Sequence, residues 1–115
     1  HLALGKRARA QQLRFLTREL DSARHLVVMG DFNTAADSPP VAEFCRTMAL
    51  RAPTAGLATY PAWQPQRAID HILVSPALAA VAELDIVHVS SEFPDGERAS
   101  DHDPVLASFD LSRLP

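Results

Sequence analysis

Three short stretches carry the side chains best able to do chemistry: Val27-Val28-Met29-Gly30-Asp31-Phe32-Asn33, Ile69-Asp70-His71-Ile72-Leu73-Val74-Ser75 and Ser100-Asp101-His102-Asp103-Pro104-Val105. In each, an ionisable group or cluster adjoins a β-type run. That places polar chemistry at strand ends, where α/β folds gather their sites. Asp31 and Asn33 are two positions apart, so across a strand-to-loop junction their side chains converge while Phe32 turns into the core. A carboxylate so placed can orient or deprotonate an attacking water, and a carboxamide can donate to a developing negative oxygen. The competing reading is structural: Asp31 caps the following loop as an Asx-turn.

Two familiar sites are excluded by residue type and spacing. Asp31, Asn33 and Asp37 fall at positions one, three and seven of a calcium-binding EF-hand loop. Ala36 and Ala42, however, stand where that loop needs a glycine and a bidentate glutamate. Ser100-Asp101-His102 is not a nucleophilic triad either, because three consecutive residues cannot chain hydrogen bonds in that geometry. Asp70 is a carboxylate flanked by Ile69 and Ile72, which is costly unless it is paired or at a strand end. One available partner is Arg67, three residues earlier.

Taken in order, a G-D-F-N turn, an I-D-H-I strand and a terminal S-D-H-x-P-V resemble the endonuclease/exonuclease/phosphatase superfamily of metal-dependent phosphoester hydrolases. That superfamily includes pancreatic-type DNases, abasic-site endonucleases, sphingomyelinases and inositol-phosphate phosphatases. The resemblance covers Leu26 to about Leu111. It implies that Asp31 activates water and that Asn33 donates to a phosphoryl oxygen. It also implies that Asp101, with Asp31 and Asn33, contributes to a divalent metal, and that His102 contacts the scissile phosphate. Asp70 is then expected to pair with His102, fixing its tautomer and raising its pKa. His1 resembles a phosphate-contacting histidine that family members carry on a strand ahead of the helix, and is retained as a candidate. His71 reads as a packed structural histidine, and Asp103, at the variable position of its motif, as solvated and non-catalytic. His25 and His88 read as surface residues. Oxygen donors without a cysteine cluster suit a hard cation, Mg²⁺ or Mn²⁺, better than Zn²⁺.

The bulk composition limits the partners. With 115 residues, 47% of them hydrophobic, there is room for one core. A net charge of −3, from 11 basic and 14 acidic residues, sets up no strong field toward DNA or an anionic membrane, which weakens a generic nuclease reading without excluding it. The single cysteine, Cys45, excludes an internal disulfide. No apolar stretch approaches membrane-spanning length. The substrate classes left open are a nucleic acid, an inositol phosphate and a phospholipid head group.

Periodicity supplies the elements that must position these residues. Gly5 to Asp21 reads as an amphipathic helix with Leu13, Leu16 and Leu20 inward and Arg7, Arg9, Arg14 and Arg18 in solvent. His25 to Gly30 reads as a strand buried on both faces, and Val41 to Leu50 as a helix with Pro40 in its first turn, burying Phe44 and Met48. Residues 51–66 form a proline-rich loop with a short strand near Ala58 to Tyr60. In it, Tyr60, Trp63 and Arg67 are either a substrate wall or a satellite hydrophobic cluster. Ile69 to Val74, Val81 to Val89 and Pro104 to Phe109 read as strands, Pro76 to Ala80 as a helical turn, Ser90 to Ser100 as a polar loop and Leu111 to Pro115 as a tail.

The expected fold class is α/β: the C-terminal half of a two-sheet sandwich like that of pancreatic DNase, a mixed, mostly antiparallel sheet with helices on one face. On this reading the chain is one partial domain that opens on His1 rather than Met and lacks a half bearing a metal-binding Glu and an Asn. Its other sheet face would be covered by that half or by a second copy in a homodimer. Alone it would show little hydrolysis. The alternative is a non-catalytic fragment or binding module that keeps only the scaffold.

Overall fold

The computed structural model describes residues 1–20, 24–83 and 92–115. The element order is α1 (Lys6–Glu19), β1 (Val27–Asp31), α2 (Pro39–Thr47), β2 (Asp70–Val74), α3 (Pro76–Ala79), β3 (Ala82–Glu83) and β4 (Ser108–Phe109), then a 3₁₀ turn (Leu111–Arg113). The fold is α/β, with β1 and β2 antiparallel in one small sheet and β3 and β4 antiparallel in another.

The register Val27↔Val74, Val28↔Leu73, Met29↔Ile72, Gly30↔His71, Asp31↔Asp70 separates the two faces of the first sheet. Successive side chains alternate, so Val28 and Leu73 share one face. There, with Phe32, they pack on Leu13 of α1 and on Val41, Phe44 and Met48 around α2. Ile72 and Val74 take the opposite face and pack with Leu78, Val105 and Phe109. Asp31 and Asp70 continue the Met29–Ile72 row. They therefore stand at the sheet end on the face turned away from α1 and α2.

This one-sided cover corrects the expectation that the first strand is buried on both faces. Val27 is exposed and Met29 is 72% exposed, because α1 and α2 reach only the Val28 side. Helix α1 falls where the leucine spacing places it, but Arg9 is not in solvent. It is 7% exposed, with its guanidinium on main-chain carbonyls of the segment that precedes the helix. Helix α2 begins earlier than expected, with both prolines in its first two positions, where no N–H is needed. It also ends earlier. Ala49 takes a left-handed φ of 53°, while Leu50 and Ala49 donate back to the carbonyls of Cys45 and Arg46, a Schellman arrangement built without glycine. Phe44 and Met48 are buried, as their spacing requires.

The expected last strand is shorter than the sequence run suggests. Among the described residues only Ser108–Phe109 pair, with Glu83 and Ala82. Residues 84–91 lie outside the described residues, and with them most of the Val81–Val89 strand, His88 and the start of the Ser90–Ser100 loop. The tail is not featureless, since Asp110 caps its 3₁₀ turn through Ser112. Near Tyr60 the expected short strand is a single bridge to Arg67. No helix among the described residues is long and apolar enough to cross a membrane.

Candidate active site

Gly30 precedes the first acid for a backbone reason. Its φ of 154° lies in a region that L side chains rarely adopt, although a Cβ there would meet nothing within 4 Å. Beyond it, Asp31 does two things at once. Its Oδ1 accepts the Asn33 backbone N–H at 2.8 Å, which is the Asx-turn, while Oδ2 faces His102 Nε2 at 3.8 Å. The structural and chemical readings of Asp31 are compatible because they use different oxygens. Asn33 follows at a left-handed φ of 52°, which asparagine tolerates better than most residues. Its Nδ2 donates to the Leu2 carbonyl at 2.5 Å, leaving one of its two N–H donors for another acceptor. Thr34, next in the chain, accepts from His71 Nε2 at 2.8 Å. His71 is thus the buried structural histidine expected, 1% exposed and packed on Phe32.

Asp70 and His102 meet across 32 positions, with His102 Nδ1 2.7 Å from Asp70 Oδ2. An ionised carboxylate only accepts, so Nδ1 carries the proton and Nε2 is the nitrogen turned to the cleft. Arg67, the alternative partner of Asp70, lies over the Tyr60 ring, 5.9 Å from its centre. Tyr60 in turn sits against the His102 ring at 4.9 Å between centroids. Its aromatic face is occupied by protein, so it props the histidine rather than forming an open substrate wall. Trp63 is 60% exposed at the neighbouring turn.

The segment carrying His102 is stitched to the proline-rich loop on both sides of the ring. Ala62 N–H donates to the Asp101 carbonyl, and Asp103 N–H to the Thr59 carbonyl, both at 2.8 Å. Ser100 Oγ accepts the His102 N–H and closes the local turn. This corrects the expectation for Asp103, which is buried because the stitch pulls it under the loop. Thr59 is the functional neighbour that the sequence did not reveal. Only 1% exposed, it donates its hydroxyl to the same Asp70 oxygen that holds His102. A threonine eleven positions before its partner, in a loop, has no periodic signal to mark it.

Asp31, Asp70 and His102 each offer a ligand atom, all within 4.8 Å of one another. Asp101 is mostly exposed, with its carboxylate 4.0 Å from His102 Nε2. Asp31, Asp70 and His102 open onto a cleft of about 550 Å³, whose apolar lining includes Met29, Ile72 and Val105. Asn33 is turned toward Leu2 and does not line that cleft, contrary to the expectation that both residues of the turn open into it. His1 is exposed. It is placed beside the site by Leu2, whose N–H donates to the Asp31 carbonyl at 2.7 Å, but its own side chain bonds none of the four acidic and histidine groups.

Two carboxylates directly opposite in register repel unless positive charge stands between them. Burial opposes a charged His102 ring. Its hydrogen bond to Asp70 and the charges of Asp70, Asp31 and Asp101 outweigh that and raise its pKa above the ordinary histidine value. In metal-free protein, NMR titration should therefore place His102 above about 6.5, and Asp70→Asn should bring it down. Because the folded-state pKa is raised, the associated stability is complete below the unfolded value of about 6.5. It is lost as pH rises through the folded value, and denaturation midpoints should show that fall in the native protein and a smaller one in Asp70→Asn.

The family comparison agrees with this geometry. A model of the Endonuclease/Exonuclease/phosphatase family matches residues 2–102, a span that reaches all four acidic and histidine groups and the segment before α1. No curated protein and no solved structure gives a match. With the match running over most of its length, across the first two motifs and into the third, the chain belongs to the Endonuclease/Exonuclease/phosphatase family.

Proposed function

We propose that this protein hydrolyses a phosphate ester with a divalent metal, by attack of water on a phosphodiester or phosphomonoester. Its family is generally one of metal-dependent phosphoesterases. The observation that carries the reading for this chain is the stack of Asp31, His102 and Asp70, with the imidazole 3.8 Å and 2.7 Å from the two carboxylates.

Each residue has work that its surroundings permit. Asp70, held by Thr59, fixes the His102 tautomer so that Nε2 faces the cleft. Carrying a proton there, His102 offers a cationic donor to a phosphoryl oxygen. Asp31 Oδ2, free of the Asx-turn, orients the water and takes its proton. Asn33 does not line the cleft, so its uncommitted N–H would supply a further donor where the substrate extends past the cleft wall to the turn. Asp70 and His102 satisfy each other, so the oxygens left for a cation beside His102 are those of Asp31 and Asp101, a set suited to Mg²⁺ or Mn²⁺, and Asn33 Oδ1 would join them by turning into the cleft. When bound, such an ion would polarise the phosphoryl group and stabilise the leaving oxygen. The substrate belongs to the phosphate esters of nucleic acids, inositol phosphates or phospholipid head groups.

The test uses the full-length protein with bis(p-nitrophenyl) phosphate and p-nitrophenyl phosphate. Nitrophenol release from at least one of them should require Mg²⁺ or Mn²⁺, stop with excess chelator and resume when metal is restored. Release that ignores the chelator, or no release from either ester in Mg²⁺ or Mn²⁺, would overturn the proposal and favour a binding module.

A further inference from the structure

Arg9 is the one arginine of α1 that the helix pattern places in solvent and the structure buries. Its Nη1 donates to the carbonyls of Ala3 and Leu4, at 3.1 and 2.5 Å. One turn along, the Gln12 side-chain oxygen accepts the Ala3 N–H at 2.8 Å. Helix α1 therefore grips residues 3 and 4 at three points. Leu2, next in line, makes two contacts of its own. Its N–H donates to the Asp31 carbonyl, and its carbonyl accepts from Asn33 Nδ2. The chain of contacts runs without a gap from the guanidinium, through the backbone of residues 2–4, to both polar residues of the G-D-F-N turn.

A buried guanidinium satisfied by carbonyls is an expensive way to hold a chain segment, and Arg9 Nε is buried with no hydrogen-bond partner among the described residues. Packing alone does not call for it. Methionine would fill the same space as the arginine stem without the charge. What the guanidinium adds is a fixed position for the Leu2 carbonyl. That carbonyl decides which way the Asn33 carboxamide points, since an acceptor there requires the NH₂ end to face it. The remaining Asn33 N–H is then aimed by the rest of the amide plane.

We propose that Arg9 is a positioning residue for Asn33, acting through the backbone of residues 2–4. The inference rests on the donor role proposed above for Asn33. In the full-length protein, Arg9→Met should lower kcat on the phosphodiester roughly tenfold and leave KM within about twofold, as a misaimed transition-state donor does. In an Asn33→Ala background the same substitution should change kcat by less than about twofold, because residues acting as one unit are non-additive. Equal losses in the two backgrounds would overturn the proposal, since a general structural role adds independently.

A second readout does not depend on turnover. Amide exchange at Leu2 should accelerate in Arg9→Met far more than at Val74, which is fully buried and bonded to Arg51. Parallel acceleration at both amides would mean global loosening and would sink the proposal. Should Arg9→Met fail to fold, Gln12→Ala removes the other anchor from an exposed position. It should free Leu2 by a smaller factor, and unchanged Leu2 exchange there would contradict the clamp. If the native protein shows no phosphoesterase activity, the proposed function fails, and Leu2 exchange still decides whether the clamp exists.

Discussion

Asp31→Ala should reduce turnover of the full-length protein by about four orders of magnitude, with only a modest loss of substrate affinity. The carboxylate has one oxygen engaged with the Asn33 N–H and the other facing His102 across the cleft. In the proposed mechanism, removing it deletes the group that takes the proton from water, an interaction that matters chiefly in the transition state. It also releases the turn that sets Asn33, so the two causes need separating. Asp31→Asn does so. An asparagine oxygen can still accept the Asn33 N–H, and the fold should keep its stability to within about 1 kcal/mol, the worth of one hydrogen bond. Turnover should still collapse, because an amide is no base. By comparison Asn33→Ala should cost about two to three orders of magnitude, the scale of one preorganised donor. Near-normal kcat in Asp31→Asn would mean that the turn, and not the carboxylate, is what this position supplies.

The second large effect is a non-additive one. His102→Ala should lower kcat by about 10³-fold, and adding Asp70→Asn should lower it by no more than about threefold further. In the proposed mechanism Asp70 acts through the imidazole, which it holds at 2.7 Å. With the ring gone, the Asp70 carboxylate has nothing left to orient. Steady-state kinetics on the four members of the cycle check this. Multiplying losses would show that Asp70 acts on substrate or metal by itself.

The acids and the histidine of the site were legible because each carries a local cost. A carboxylate between Ile69 and Ile72 demands a partner, and only a few residues can be one. A carboxylate and a carboxamide two positions apart at a strand end converge by geometry alone. What escaped the sequence are the residues whose role is set by main-chain groups far along the chain. Arg9 is at a position that helical periodicity assigns to solvent, and its burial depends on the carbonyls of Ala3 and Leu4. Asp103 stands at the variable position of its motif, where the sequence predicts a solvated residue, yet a backbone bond to Thr59 draws it in. Thr59 and Tyr60, which hold Asp70 and His102, lie in a loop whose prolines announce irregular backbone and nothing about its direction. The apolar run of the first strand could not say that one of its faces stays open, because Val27 and Met29 are as apolar as Val28.

The most direct test of the central claim, that the three motifs form one metal-dependent site, is Mn²⁺ titration of the full-length protein followed by NMR line broadening. Paramagnetic broadening should appear first at the His102 ring and at the amides of Asp31 and Asp101. It should leave α1 and α2 sharp, and it should be displaced by excess Mg²⁺. Broadening confined to the exposed acids Asp95 and Glu97, with the His102 ring unaffected, would contradict the account.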